Sequence, residues 1–283
     1  MYKSLSEYKK NKEFLVCVDS DGCAMDTMDI KHFNCFGPCL VEEWNLFSYK
    51  DEILKRWNEI NLYTMTRGIN RFKGLALALS EIDEKYEKIE DIEALNYFVN
   101  HSDELSNDAL KRAIEKNPDS VILKKALSWS MAVNRSINNL SEEDKIPFPM
   151  VKEALEYAHK YADIAIVSSA NLDAVLEEWE KFSLLDYVDI VLAQNAGSKA
   201  FCISELLKKG YANNNVLMCG DAPGDLDASK KNNVFYYPIL VKKEKESWSE
   251  FIGIGLNNLL ENKYEGTYQE EKTNAFLRNL SVK

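Results

Sequence analysis

Apolar runs of strand length alternate with amphipathic segments of helix length through the second half of the chain. Val151, Leu155, Ala158 and Ala162 recur near helical spacing, and a short apolar run that ends in two serines follows them. Strands that alternate with helices in this way indicate βαβ units and a parallel sheet. The elements that this pattern predicts are helix 149–162, strand 164–169, helix 171–182, strand 187–193, helix 199–210, strand 215–220, a short helix to residue 231 and strand 234–239.

One more strand lies near the start of the chain, and a long helical stretch separates it from the others. The run FLVCV at 14–18 is continuously apolar, which is typical of a sheet covered on both faces. Residues 28–147 hold charged amphipathic segments and no convincing strand. We therefore predict an α/β fold with a Rossmann-like parallel sheet core at 1–27 and 148–283, and a mostly α-helical domain at 28–147. The residues after the last strand are predicted to form surface helices, which either close the core or form a tail.

Capping residues mark the ends of two predicted helices. Asn171 and Ser198 precede helix-length segments and are predicted N-caps. Gly210 follows the helix that Ser198 begins, at the position where glycine commonly ends a helix.

The composition is that of a globular protein with excess negative charge. Hydrophobic residues make up 46% of the 283 residues, charged residues make up 29%, and the formal net charge is −11. Because nucleic-acid-binding proteins present a basic face, we expect no nucleic-acid partner. No apolar run approaches the roughly 20 residues of a membrane span, so we expect no membrane association. The six cysteines form no C-x-x-C pair and no signal peptide is recognised, which favours the cytoplasm. The sequence leaves the oligomeric state open.

Two acidic clusters directly follow apolar strands. Asp19 and Asp21 come after the first predicted strand, and Asp221 and Asp225 come after a later one. Ligands of an open α/β sheet bind beyond the carboxyl ends of its strands. If the two strands are neighbours, the carboxylates converge there and need a cation, since close like charges repel. Oxygen ligands favour Mg²⁺. An Asp after a strand is also a common turn former, but two such clusters favour a shared site.

Two weaker polar signals accompany the other predicted strands, one at the end of a strand and one at the start of the helix that follows a strand. Ser168 and Ser169 end a strand, where a hydroxyl and the following N–H groups are suited to bind an anion. The alternative is that one of them is a plain N-cap. Lys199 begins a helix, where the helix dipole disfavours a cation, so it either faces an anion or is solvated.

Taken in order along the chain, these four signals resemble the motifs of the haloacid dehalogenase (HAD) superfamily. Motif one resembles VDSDG, motif two VSS, motif three GSK and motif four GDAPGD. The resemblance covers residues 13–28 and 149–240. It is to the phosphatase branch, which has a helical cap domain inserted after motif one, because Asp21 supplies the second acid that dehalogenases and phosphonatases lack.

The resemblance implies a Mg²⁺-dependent phosphohydrolase that cleaves a small phosphorylated metabolite through an aspartyl-phosphate. Asp19 is then the nucleophile, Asp21 the general acid and base, and Lys199 the partner of Asp19 and of the phosphate. Ser168 or Ser169 binds a phosphoryl oxygen. A phosphomutase of the sugar-phosphate type shares these core residues and stays open, as does a catalytically silent binding or regulatory protein. The metal ligands implied are Asp19, Asp21 through its carbonyl, Asp221 and Asp225.

A local basic cluster lies in the helical insert, within TRGINRFKG at 66–74. Arg67 and Arg71 are four residues apart and are predicted to share a helix face with Asn70 and Lys73 nearby. The cluster is a candidate for binding a second anionic group of the substrate. The alternative is a solvated face that pairs with acidic neighbours.

A second pattern in the insert resembles part of a zinc site. His32, Cys35 and Cys39 offer three ligands, with Cys23 as a distant fourth. This spacing matches no common closed zinc site, which disfavours zinc.

Overall fold

The computed structural model of the protein describes residues 4–281. Within this range one parallel sheet has the strands β1 (Phe14–Val18), β2 (Ala162–Val167), β3 (Ile190–Leu192), β4 (Val216–Gly220) and β5 (Phe235–Pro238). Their order across the sheet is β3-β2-β1-β4-β5. β1 is central, and Val18 lies opposite Ile166 on one side and Cys219 on the other. The predicted α/β fold with a parallel sheet is confirmed, and β1 and β4 are neighbours.

Asp29–Ser141 form one compact unit, and this unit is helical throughout its regular structure. Trp57, Phe72 and Trp129 lie at the centre of its apolar core. Residues 29–141 are all described and contain no strand, as the charge pattern predicted. The helices are α1 (Met28–Lys31), α2 (Gly37–Glu43), α3 (Lys50–Asn58), α4 (Arg71–Lys85), α5 (Ile92–His101), α6 (Asn107–Lys116) and α7 (Val121–Asn138), with π-helical segments at His32–Phe36 and Glu59–Tyr63.

The second unit combines the N-terminal residues up to Met28 with the residues from Glu142 onward, and it contains the sheet. Asn171 and Ser198 cap its helices as predicted, each accepting hydrogen bonds from N–H groups of the first turn. No helix within residues 4–281 is long and apolar enough to cross a membrane. The helices of this unit are α8 (Val151–His159), α9 (Leu172–Lys181), α10 (Lys199–Leu207), α11 (Pro223–Lys231), α12 (Glu244–Glu250), α13 (Leu256–Leu260) and α14 (Thr267–Asn279), with a π-helical segment at Phe251–Gly255.

Several predicted element boundaries were wrong, among them the end of helix 149–162, which stops at His159, and the strand 187–193, which is only Ile190–Leu192. β2 ends at Val167, so Ser168 and Ser169 follow the strand instead of forming its last residues. α10 ends at Leu207, and Gly210 takes its positive φ of 101° in the turn beyond the helix end. Gly210 therefore serves the turn and not the helix cap itself.

The C-terminal helices close the core of the sheet unit and do not form a tail. Trp248, Phe251, Leu256 and Leu259 are buried in the same apolar cluster as Val18 of the central strand. Burial of large apolar side chains is worth about 1.5–3 kcal/mol each, so these helices contribute substantially to the stability of the unit. The prediction that the segments after the last strand are surface helices was therefore wrong for the faces that pack against the core.

Candidate functional site

Three buried aspartates meet at the carboxyl ends of β1 and β4. Asp19 directly follows β1, Asp221 directly follows β4, and Asp225 lies in the first turn of α11. One carboxylate oxygen of each lies within 4.8 Å of those of the other two. Their exposed fractions are 6%, 1% and 0%, so the carboxylates share a site with little access to water. The structure brings together three of the four predicted aspartates.

Lys199 places one positive charge among these carboxylates. It is the first residue of α10, whose N-cap Ser198 accepts a hydrogen bond from the Phe201 N–H at 3.2 Å. The Lys199 Nζ lies 2.6 Å from Asp19 Oδ2 and 2.5 Å from Asp225 Oδ1. Burial disfavours the ammonium, but the two carboxylates outweigh it and raise the pKa of Lys199 above its ordinary value. Lys199 therefore stays charged, and these anions account for a lysine at the positive end of a helix.

The carboxylates of this site are costly to ionise together. Burial raises the pKa of Asp19 to about 6, while Lys199 lowers it and the charge of Asp225 raises it further. Burial also raises the pKa of Asp225, again against the opposing effect of Lys199. Three carboxylates and one ammonium carry excess negative charge when all are ionised, and a divalent cation neutralises such an excess.

The chemistry of the donor set fits a hard cation such as Mg²⁺. All three grouped side chains are carboxylates, and Mg²⁺ prefers oxygen ligands. Among the residues that the structure describes, no other group of three or more His, Cys, Asp or Glu side chains is placed to hold a metal ion. His32, Cys35 and Cys39 are thus not placed to hold zinc together. His32 Nδ1 instead accepts a hydrogen bond from Trp57 Nε1 at 3.0 Å.

Asp21, the second acid of the first motif, is not one of the three grouped carboxylates. It is half-buried, and its Oδ1 accepts a hydrogen bond from the Thr27 hydroxyl. Asp19 is held differently, because its Oδ1 accepts a hydrogen bond from the Ser20 N–H at 2.8 Å. The two acids therefore have different environments, one buried and ion-paired, the other half-buried and hydrogen-bonded to a hydroxyl. Such a difference suits two carboxylates with different roles.

The two predicted phosphate-binding serines follow β2. Ser168 is buried, its N–H donates to Leu192 O at 2.9 Å, and its Oγ accepts a hydrogen bond from the Ala170 N–H at 3.2 Å. Ser169 is exposed. Neither serine caps α9, because Asn171 does so. The alternative that one of them is a plain N-cap is therefore wrong, and the Ser168 hydroxyl hydrogen is left to donate elsewhere.

Arg67 and Arg71 do not share a helix face, so this prediction was wrong. α4 begins only at Arg71, because Asn70 caps it by accepting a hydrogen bond from the Phe72 N–H at 2.9 Å. Arg67 lies in the preceding turn, where it is buried and its Nη1 donates to Leu62 O at 2.8 Å. The cap residue between them thus separates the two arginines into different elements.

Arg71 joins two helices of the helical unit. Its Nη1 donates to Ser130 Oγ at 3.0 Å and to Asn134 Oδ1 at 2.7 Å, both on α7. Its guanidinium lies 5.1 Å from the centre of the Phe36 ring. Burial lowers the pKa of Arg71 to about 10. Lys73 is exposed on the same helix, so the basic cluster is divided between internal contacts and solvent.

Three residues that shape the site escaped prediction. A Cβ atom at Gly220 would lie 2.3 Å from Asp225 Cγ, so only glycine leaves room for that carboxylate. The Tyr236 hydroxyl donates to Gly220 O at 2.9 Å and holds the same peptide. Trp248 Nε1 donates to Cys23 O at 3.0 Å and supports the loop after β1. The glycine directly before an Asp was an available signal, whereas nothing local marked the two aromatic residues.

Comparison with known proteins places the sequence within a described family. A family model described as haloacid dehalogenase-like hydrolase matches residues 69–239, more than half of the chain. The matched range contains Ser168, Lys199, Asp221 and Asp225, and Asp19 lies before it. No curated protein matches the sequence.

Several solved structures are similar to this fold at low sequence identity. One is a haloacid dehalogenase-like family hydrolase from Streptococcus pneumoniae, at 11% identity over 83% of this chain and 90% of that chain, with a TM-score of 0.44. Another is described as a predicted phosphatase from Clostridium acetobutylicum, at 14% identity over 81% of this chain and 85% of that chain, with a TM-score of 0.44.

Proposed function

The chain belongs to the haloacid dehalogenase-like hydrolase family, as its four motifs predicted, and we propose that it is a Mg²⁺-dependent phosphohydrolase acting on a small phosphomonoester. One observation carries the proposal. The buried Asp19 carboxylate is ion-paired to Lys199 at 2.6 Å and grouped with Asp221 and Asp225 at the carboxyl end of the sheet. This is the constellation that an anionic nucleophile needs in order to approach an anionic substrate.

Asp19 is the nucleophile of the proposed reaction. One of its oxygens bonds to phosphorus, the bond from phosphorus to the substrate oxygen breaks, and an aspartyl-phosphate forms. Asp21 donates a proton to the leaving oxygen. Asp21 then accepts a proton from the water that attacks phosphorus, which releases phosphate and restores the Asp19 carboxylate.

The groups around Asp19 support this reaction before substrate arrives. The Ser20 N–H holds one carboxylate oxygen and Lys199 holds the other, so the carboxylate has a set orientation. With a pKa of about 6, Asp19 is ionised at neutral pH. Lys199 also attracts the incoming phosphoryl group, and the Ser168 hydroxyl donates to one of its oxygens, with Ser169 as the exposed neighbour.

Magnesium completes the proposed site. Asp19, Asp221 and the Asp21 carbonyl are the proposed ligands, with Asp225 as a further ligand or as the partner that holds Lys199. A bound Mg²⁺ supplies positive charge that offsets the repulsion between carboxylates and phosphate.

We further propose that residues 28–147 form a cap domain that selects the substrate, while residues 1–27 and 148–283 form the catalytic core. The six cysteines are all free and buried, which agrees with a cytoplasmic location. A phosphomutase would use the same core residues and differs only in whether the phosphate is passed to water or to a second sugar hydroxyl. A silent binding protein is disfavoured because each of the motif acids is present.

A phosphate-release screen tests the proposal. Purified protein is incubated with sugar phosphates, nucleotides and phosphorylated carboxylic acids, with Mg²⁺ and with excess EDTA. We expect Mg²⁺-dependent phosphate release from a subset of substrates, and no release by Asp19→Asn. Isomerised sugar phosphate without free phosphate would identify the mutase instead. Release that EDTA leaves unchanged would contradict the metal requirement.

A further inference from the structure

Ser20 lies between the two acids of the loop after β1, and the loop is organised around its backbone. The side chain is fully buried. Its carbonyl accepts hydrogen bonds from the N–H groups of Ala24 and Met25, each at 2.9 Å, and its own N–H donates to Asp19 Oδ1 at 2.8 Å. A movement of Ser20 therefore changes both the fold of the loop and the contact that holds the Asp19 carboxylate.

A tryptophan from another element holds the Ser20 side chain. Trp179 lies on α9 and is fully buried in the core of the sheet unit. Its Nε1 donates to Ser20 Oγ at 2.9 Å. Because an indole nitrogen only donates, the hydroxyl oxygen of Ser20 is the acceptor, and the direction of the bond is defined. The contact joins the helix that follows the Ser168 loop to the loop that carries Asp19.

We infer that Trp179 and Ser20 form a positioning pair that orients the Asp19 carboxylate. This inference rests on the proposed function of Asp19 as nucleophile. The last side-chain torsion of an aspartate is broad, so contacts from outside the side chain must set the plane of its carboxylate. At Asp19 those contacts are the Ser20 N–H on Oδ1 and Lys199 on Oδ2. Trp179 fixes the first of them by fixing Ser20.

Trp179→Phe tests this role, because it removes the N–H donor and keeps most of the buried ring. We expect kcat to fall about three- to tenfold, the effect of one hydrogen bond, with KM changed less than twofold. Ser20→Ala removes the acceptor and should have a similar effect. Since the two act as a pair, the double variant should lose no more than the more damaged single variant.

Trp129→Phe is the matched control. Trp129 is equally buried, and its Nε1 donates to Phe36 O at 3.2 Å in the helical unit. We expect a comparable loss of melting temperature in this variant, with kcat within twofold of the original protein. The positioning role is overturned if Trp179→Phe loses no more kcat than Trp129→Phe, or if the losses of Trp179→Phe and Ser20→Ala multiply in the double variant.

Amide hydrogen exchange separates this inference from the proposed function. The Ser20 and Met25 amides should exchange faster in Trp179→Phe and keep their rates in Trp129→Phe. Unchanged exchange in Trp179→Phe overturns the inference whether or not the protein turns over a substrate. Absence of phosphate release by the original protein, with faster exchange in Trp179→Phe, counts against the proposed function alone.

Discussion

The Lys199 ammonium lies 2.6 Å from Asp19 Oδ2, although two strands, several helices and the whole helical unit separate the two residues along the chain. Lys199 also contacts Asp225, so one cation holds two carboxylates that would otherwise repel each other. Removal of any member of this group is therefore expected to disturb the positions of the remaining members.

Asp19→Asn should abolish phosphate release and preserve the fold. The amide has nearly the shape of the carboxylate but cannot attack phosphorus. Turnover and far-UV circular dichroism of the same preparation measure the two effects. Asp173→Asn, which neutralises an exposed aspartate on α9, is the control and should keep full activity. A well-folded Asp19→Asn protein with near-normal turnover would remove Asp19 from the mechanism.

The metal-free protein should lose stability as the pH rises from about 4 to above 6. The pKa of Asp19 is about 6 in the folded protein and about 3.9 in an unfolded chain. The folded state therefore binds this proton more tightly, and the free energy of unfolding falls as the pH rises through the window. Thermal unfolding in EDTA at several pH values measures this, and Asp19→Asn should show a shallower fall. Identical pH profiles for the two proteins would contradict the raised pKa.

Asp221→Asn should raise the Mg²⁺ concentration needed for half-maximal activity by more than about tenfold, because a proposed ligand loses its charge. Titration of phosphate release with Mg²⁺ gives the value. Asp227→Asn is a matched control, since Asp227 lies on α11 two residues after Asp225 but is exposed. An equal shift in both variants would show a general effect of surface charge in place of a ligand role.

Gly220→Ala should impair both activity and stability. The added Cβ would lie 2.3 Å from Asp225 Cγ, so the carboxylate must move away from its position beside Lys199. Gly224→Ala is the control for stability: nothing lies within 4 Å of an added Cβ there. Alanine in a helix is favoured over glycine by up to about 1 kcal/mol, so Gly224→Ala should melt at an equal or higher temperature. Equal melting temperatures for the two variants would contradict the steric argument.

Arg71→Ala should destabilise the helical unit by roughly 1.5–3 kcal/mol, because it removes charged hydrogen bonds between α4 and α7. Activity on a natural substrate and on a generic aryl phosphate should then respond alike, because no contact with the substrate is lost. Lys73→Ala, which changes an exposed residue of the same helix, should leave the melting temperature nearly unchanged. A selective loss on the natural substrate, without a change in stability, would instead restore Arg71 as a substrate-binding residue.

The carboxylate group was predictable from sequence because two of its members, Asp19 and Asp221, directly follow strands and the third, Asp225, comes soon after Asp221. Parallel strands end at one edge of a sheet, so the residues after β1 and β4 had to meet once these strands were neighbours. The prediction that Arg67 and Arg71 share a helix face was wrong, because their spacing alone does not show where the helix begins. Spacing of four residues implies a shared face only within one helix, and the Asn70 cap begins α4 between the two arginines.

Local pattern by itself determined the strand and helix order, the helical nature of residues 29–141 and the acids that end β1 and β4, because periodicity and capping act between near neighbours. Only the tertiary structure decided which side chains support those acids. The contact of Trp179 with Ser20, the fit of Asp225 against Gly220 and the burial of the C-terminal helices each join distant parts of the chain. Such contacts follow from the path of the folded chain, which no short stretch of sequence encodes.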